Sequence, residues 1–368
     1  MHPLLRPART VLLLACLVLA TAACERGPAP PTPEQTRARL QQLLPVALHD
    51  RAGWAADIQA ALAALEIAPN DSNLCAVLAV TEQESTYTVD PEVPGLGRIA
   101  RDEIVRRAAR MKVPAFMVNA ALSTRSPDGR PWNARLAQVR TERELNDLFE
   151  ELIAGVPMGA RLLARANPVR TGGSMQVSIA FAEAHAREHG YPFASDGAIR
   201  REVFTRRGGM YFGIAHLLGY PVSYDRKIFR FADFNAGWYA SRNAAFQHAV
   251  ASVTAIALDY DGDLLRHADD KLGATESALQ ALSPRLGLDH AQIRAALGKA
   301  RTHGFERTEL YTRVFALADG SIGRPLARAR IPRIRLSSPK ITRPLTTEWF
   351  ATRVERRYRN CLARASRR

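Results

Sequence analysis

Apolar residues recur at spacings of three and four over residues 32–49, 53–65, 73–87, 101–111, 141–154, 175–189 and 346–363, the period of helices with a buried face. Alternating strand runs are scarce, so the predicted fold class is mainly α, with a short hairpin allowed but not placed. Local chemistry supports several ends: Asp71 or Ser72 before Asn73, Thr141 with Glu144 as a capping box, and Gly190 after the segment ending at His189. Residues 123–132 (STRSPDGRPW) read as a loop. Residues 324–344 are basic, proline-interrupted and without helical period, and are expected to wrap the surface before the last helix.

The two ends of the polar pattern differ. Arg6 and Arg9 precede an apolar run over residues 11–20, with small residues up to Cys24, so residues 1–23 are expected to be an export signal, too short to span a bilayer. The stretch Leu19-Ala20-Thr21-Ala22-Ala23-Cys24 resembles a bacterial lipobox, which implies acylation of Cys24; cleavage as an ordinary secretory signal near Ala23 is the alternative. Residues 25–34 carry four prolines and almost nothing apolar, and are expected to form an extended tether of roughly 30 Å. The implied location is the cell envelope, lipid-anchored to a bilayer through Cys24, as an outer-membrane lipoprotein facing the periplasm.

Charge narrows the partners. The formal net charge of +15 comes almost wholly from arginine, since Lys112, Lys227, Lys271, Lys299 and Lys340 are the only lysines. A positive field draws anionic polymers and membrane surfaces. For an exported chain these are wall polymers or phospholipids, and nucleic acid is excluded as the expected partner. Within residues 324–344, Arg328, Arg330, Arg333, Arg335, Lys340 and Arg343 either grip such an anion or are solvated charge. Once Cys16 leaves with the signal and Cys24 is acylated, Cys75 and Cys361 remain as an isolated pair. An oxidising compartment favours a disulfide between them; two buried free thiols are the alternative.

Residues 73–87 (NLCAVLAVTEQESTY) are apolar around the helix circumference up to Val80, then turn polar. Glu84 falls on the face of Val77 and Val80, while Glu82 projects nearly opposite, over Cys75 and Leu78. A carboxyl at the end of a buried helix loses solvation, which raises its pKa and suits it to general-acid work. Taken by itself, the segment fits a solvated or ion-paired carboxylate better. Two further segments bear on it: residues 171–178 (TGGSMQVS) and 231–237 (FADFNAG) set small residues in turns beside helices, where backbone can approach a ligand.

In order, these three segments resemble the hallmarks of the soluble lytic transglycosylases of the lysozyme-like superfamily: a helix ending in Glu-Ser, a Gly-Leu-Met-Gln turn and an Ala-Tyr-Asn-Ala-Gly turn. Here they read Glu84-Ser85, Gly173-Ser174-Met175-Gln176 and Asp233-Phe234-Asn235-Ala236-Gly237. The resemblance implies a lysozyme-like helical domain over residues 35–260, with a helical insertion at about 99–168 and a C-terminal helical extension over 261–368. It implies that Glu84 protonates the oxygen leaving N-acetylmuramic acid and then takes a proton from the sugar 6-hydroxyl. A 1,6-anhydro end would form, with no cofactor and no metal. Ser85, Gly173, Met175, Gln176, Asn235 and Tyr239 would line the glycan, and peptidoglycan strands would be the substrate. Phe234 stands where these enzymes carry tyrosine, leaving Tyr239, Tyr211 or Tyr87 to supply a hydroxyl. The whole chain, through Glu82-Gln83-Glu84-Ser85 and residues 231–247, also resembles a family of proteobacterial lipoproteins of unassigned function.

Three other readings compete. His185-Ala186-Arg187-Glu188-His189 fits H-x-x-E-H, the helix of inverted zinc peptidases, but Gly190 and Tyr191-Pro192 end the helix at once and no third-ligand helix follows, which favours a satisfied or exposed His pair. Asp259, Asp261 and Asp263 resemble part of a calcium loop but lack the twelfth-position glutamate, so a capped turn is expected, and His216 and His248 read as core residues. A non-catalytic wall-binding scaffold lipoprotein is the alternative function.

Overall fold

A computed structural model describes residues 30–155, 158, 166–195, 197–265, 272–337 and 343–367. Cys24, the export signal, residues 25–29 of the tether and Lys340 lie outside the described residues, and the expected extended tether is corrected at its end, where residues 33 and 34 already belong to the first helix. The described chain is mainly α-helical, with two antiparallel pairs of two-residue strands.

The first core starts from three helices and is closed by the C-terminal one. Helix α1 (Pro33–Leu43) starts on a Thr32–Gln35 capping box with proline at its first position, a conformation proline presets. Helix α2 is Arg51–Ala64, and α3 (Asp71–Ser85) begins at an Asn70 cap, one residue before the expected Asp71 or Ser72. Leu74, Cys75, Ala76, Val77 and Val80 are all fully buried, so α3 must be enclosed from every side. One side is closed by the C-terminal helix. Cys75 and Cys361 form a disulfide with Cα atoms 5.5 Å apart. Arg39 of α1 adds a clamp, bonding Asp71 at 2.7 Å and the Ala365 carbonyl at 2.9 Å.

A further helical segment follows: α4 (Leu96–Arg110), α5 (Ala115–Ser123), α6 (Trp132–Gln138) and α7 (Glu142–Ala154). Gly97 lets α4 lie directly on α6, since a Cβ there would sit 2.2 Å from the Leu136 carbonyl oxygen. The Thr141–Glu144 capping box starts α7 as expected. Strands β1 (Thr171–Gly172) and β2 (Val177–Ser178) then form a hairpin, and α8 (Ile179–His189) is capped by Ser178 and closed by Gly190. This moves the start of the predicted 175–189 helix, because the hairpin turn takes Met175 and Gln176.

Helices α9 (Ile199–Glu202), α10 (Arg206–Leu218), α11 (Lys227–Ala236) and α12 (Ala240–Thr254) follow. Buried Asp57 of α2 receives Arg206 at 2.6 Å and Arg207 at 3.0 Å, fixing α10 against α2. A second hydrophobic cluster is built by α12 with α13 (Ala274–Ala281), α14 (Ser283–Leu286), α15 (His290–Leu297) and α16 (Glu309–Ile322). Buried Arg242 joins α12 to the turn before α16: it donates to the Thr302 carbonyl at 2.8 Å and lies 4.3 Å from the Tyr239 ring.

The two hydrophobic clusters do not divide the chain at residue 261. The second core takes in α12, while the last helix, α17 (Thr347–Ala365), returns to the first core through Phe350, Val354 and Cys361. Before it, residues 324–334 cross the surface as expected. Arg328 pairs with Asp319 at 2.7 Å, and Arg330 and Arg333 lie over the Tyr260 ring, so these cations serve the fold's own surface. Arg343 lies over Trp349, and β3 (Arg335–Leu336) pairs with β4 (Leu345–Thr346). Among the described residues no helix is long and apolar enough to cross a membrane.

Because the disulfide joins positions 286 residues apart, it removes much freedom from the unfolded chain. The Cys75→Ala, Cys361→Ala double variant should lose about 2–5 kcal/mol of stability in denaturant titration. Unchanged stability would show that helix packing alone retains α17.

Candidate functional site

The C-terminal end of α3 is held from beneath. Thr86 and Tyr87 both adopt left-handed backbone (φ 51° and 60°), which costs energy in non-glycine residues. Burial of Tyr87 offsets that cost: its hydroxyl donates to the Leu78 carbonyl at 3.1 Å and its ring meets Trp54 edge-on at 5.7 Å. The last turn of α3 is thereby fixed. Glu82 faces α17 and pairs with Arg357 at 3.2 Å, and Ser85 donates back to the Thr81 carbonyl at 3.2 Å. Both are structural.

Glu84 differs from its neighbours. It makes no hydrogen bond or ion pair with a described residue. The residue keeps part of its surface open, yet protein surrounds its carboxyl so densely that its pKa is pushed up to about 8. Loss of solvation is the larger cause of the shift, and the charge of Glu142 is the second. Glu142 is buried in the first turn of α7. The chain leaving α3 brings it there: Val93 donates to the Arg140 carbonyl at 2.8 Å, and Glu92 bridges to Thr141. A cavity of about 330 Å³ opens beside Glu142, bordered by Ala100, Glu103, Arg107 and Thr171.

The β1–β2 turn packs against the same end of the molecule. Gly173 has φ 72°, and a Cβ there would lie 2.2 Å from the Val203 carbonyl oxygen, so only glycine fits. Met175 is fully buried against Gly213, where any side chain would collide with its sulfur. Ser174 Oγ lies 3.3 Å from the Met210 sulfur, and Thr81 Oγ1, one turn before Glu84, lies 3.9 Å from the same atom. Met210 thus joins the turn to α3. Gln176, at φ 48°, is held inside its own hairpin, donating to the Gly173 carbonyl at 3.2 Å and accepting from Thr171 at 3.3 Å.

The third segment meets α10 farther along. Phe234 lies 5.0 Å from His216 and stacks at 6.5 Å on Phe350; Trp238 donates to the His216 carbonyl at 2.7 Å. Phe181, in the first turn of α8, reaches both His216 and Trp238. Six residues separate Met210 from His216, about 9 Å along a helix. Contacts from all three predicted segments thus fall on α10. Asn235 is exposed and accepts from Thr347 Oγ1 at 3.0 Å, which ties it to α17. Tyr239 is placed elsewhere than expected: it is 3% exposed, edge-on to Tyr220 and beneath Arg242, so its ring serves the core. Asp233 is fully buried and accepts from Tyr220, Tyr224 and the amides of Tyr239 and Ser241.

Two features of this arrangement were not predicted. Residues 206–218 (RRGGMYFGIAHLL) hide α10 because three glycines and near-complete burial erase its period, although Thr205 caps it. Glu142 was passed over; the capping box beside it marks the helix start but not what that start faces.

The other readings resolve into local structure. His185 lies 3.3 Å from the Tyr211 hydroxyl and stacks on Phe181, and burial lowers its pKa. His189 is exposed and 3.8 Å from Glu188. Among the described residues no group of three or more His, Cys, Asp or Glu is placed to hold a metal. Asp261 accepts from Gln247 and from the Asp263 amide, closing a turn.

Fold and site together define a mainly helical protein with a disulfide-clamped core and a single unpaired carboxyl at the end of its central helix. The chain belongs to the family described as protein of unknown function (DUF1615), whose model matches residues 47–364. It is 49% identical over 361 residues to "Uncharacterized protein YaiW" of Escherichia coli (strain K12), covering 97% of this chain and 98% of that one. No solved structure matches the chain significantly.

The raised pKa makes Glu84 a stability liability with a defined pH window. Its protonated form is retained in the fold, so its contribution is fully present below the ordinary value of 4.5 and is lost as pH rises through about 8. Glu84→Gln should therefore raise the unfolding free energy at pH 8 by about 1–3 kcal/mol, seen as a higher melting temperature, and have almost no effect at pH 4.5. An unchanged or lower melting temperature at pH 8 would mean that the carboxylate is well solvated.

Proposed function

We propose that this chain is a peptidoglycan lytic transglycosylase with a lysozyme-like arrangement of α3, the β1–β2 turn and the α11 end, in which Glu84 acts first as acid and then as base. The observation that carries the reading is Glu84 itself: partly accessible, without a partner, and protonated through neutral pH on the rigid end of a buried helix. Such a carboxyl holds a proton for a leaving glycosidic oxygen and, once ionised, accepts one from the sugar 6-hydroxyl. The muramic acetamido group stabilises the intermediate cation, so a single protein carboxyl suffices. In this reading Gly173 and Gln176 contact the glycan beside Glu84, and Asn235 contacts it farther along.

A second reading, a wall-binding scaffold without turnover, is favoured by one observation. Phe234 is wedged between His216 and Phe350 where the resembled enzymes carry a hydroxyl. Of the tyrosines expected to replace it, Tyr87 bonds to Leu78, Tyr211 to His185, and Tyr239 is buried.

Purified protein incubated with peptidoglycan sacculi should release 1,6-anhydro-muropeptides detectable by mass spectrometry, with activity falling above about pH 8 as Glu84 ionises. Glu84→Gln should reduce product by at least about a hundredfold. Binding without product from either form selects the scaffold, and full activity in the variant removes Glu84 from the chemistry.

The location proposed with this function is the periplasmic face of the outer membrane, anchored through acylated Cys24. Mass spectrometry of the N-terminal peptide from membranes should show a diacylglyceryl cysteine; an unmodified terminus near residue 24 would show a free periplasmic protein.

A further inference from the structure

The inserted segment carries an apolar surface that the glycan reading does not use. Helix α5 (AFMVNAALS) turns only Val118 and Leu122 inward. Ala115, Phe116, Met117, Ala120 and Ala121 all face solvent, with Phe116 71% and Met117 52% exposed. Met111, in the turn before it, is 69% exposed. Large apolar side chains so exposed and so close together mark an interaction surface.

Its setting is strongly cationic. Residues 96–125 hold seven arginines or lysines, with Asp102 and Glu103 as the only acids. Glu103 is already neutralised by Arg106 and Arg107. Exposed Arg110 and Lys112 flank Met111 directly, and Arg101 reaches α5 by donating to Asn119 at 3.0 Å.

We infer that the α4–α5 turn docks on an anionic phospholipid surface, with Met111, Phe116 and Met117 entering the acyl boundary and Arg110 and Lys112 at the headgroups. An apolar tip ringed by long cationic side chains is the pattern of an interfacial membrane contact, and the charge complements anionic lipid. The inference does not depend on catalysis at Glu84. It adds to the Cys24 anchor a second contact, which would set the orientation of the cleft relative to the bilayer.

The test uses the unacylated chain from residue 25 onward, which keeps every described element, and sedimentation with phosphatidylcholine vesicles with or without phosphatidylglycerol. The chain should partition onto the phosphatidylglycerol vesicles and release as salt is raised. Phe116→Asp with Met117→Asp should weaken partition at least about tenfold. Arg110→Gln with Lys112→Gln should reduce the preference for anionic lipid by about the same factor. All four side chains are exposed, and circular dichroism confirms that the variants fold. Equal partition of wild type and the aspartate variant, or no partition of wild type, overturns the inference. Self-association of wild type that the aspartate variant abolishes, without vesicle binding, assigns the face to a second copy of the chain instead.

Discussion

The structure depends on enclosing α3. A helix apolar around its whole circumference has no stable surface position, so the chain must supply partners on every side. Residues far apart in sequence do so: α17 is locked on by the Cys75–Cys361 disulfide, and α10 is held against α2 by Asp57. The enclosure ends where α3 turns polar. Glu84 sits at that limit, with the rigidity of a core helix behind it and an opening in front.

Rigidity and desolvation come from the same packing, and they act on Glu84 in opposite ways. Dense surroundings hold the carboxyl in one position but oppose its ionisation. A purely structural residue at this place would be expected to gain a cation or a hydrogen-bond donor, as Glu82 has in Arg357 and Asp233 has in its tyrosines and amides. Glu84 has neither. An unrelieved cost of this kind is more readily retained at functional sites than elsewhere.

Features encoded within a few residues were legible in the sequence. The burial of α3, the opposite directions of Glu82 and Glu84, the Thr141–Glu144 capping box and the Gly190 stop follow from helical period and capping chemistry. The order of the three motif segments was also legible. Their common support was not, because Gly208, Gly209 and Gly213 give α10 little helix propensity; those glycines are instead required by close contacts with Glu202, Val203 and Met175 respectively. The placement of Tyr239 was missed for a related reason. Its left-handed backbone and its burial under Arg242 depend on the second core, which its own segment does not encode.

Glu142 shows most clearly what local reading leaves out. The long segment between Glu84 and the β1–β2 turn reads as a departure from compact lysozyme-like chains, an addition around a finished site. Yet the bridge from Glu92 to Thr141 brings the start of α7 back toward α3, and the second charge acting on Glu84 comes from there. A nearby negative charge disfavours a second one, so the charge of Glu142 helps keep the proton on Glu84. The insertion is thus part of the electrostatics of the candidate site. The same segment presents the apolar tip of α5, so whatever fixes α5 against a surface also bears on the wall that carries Glu142.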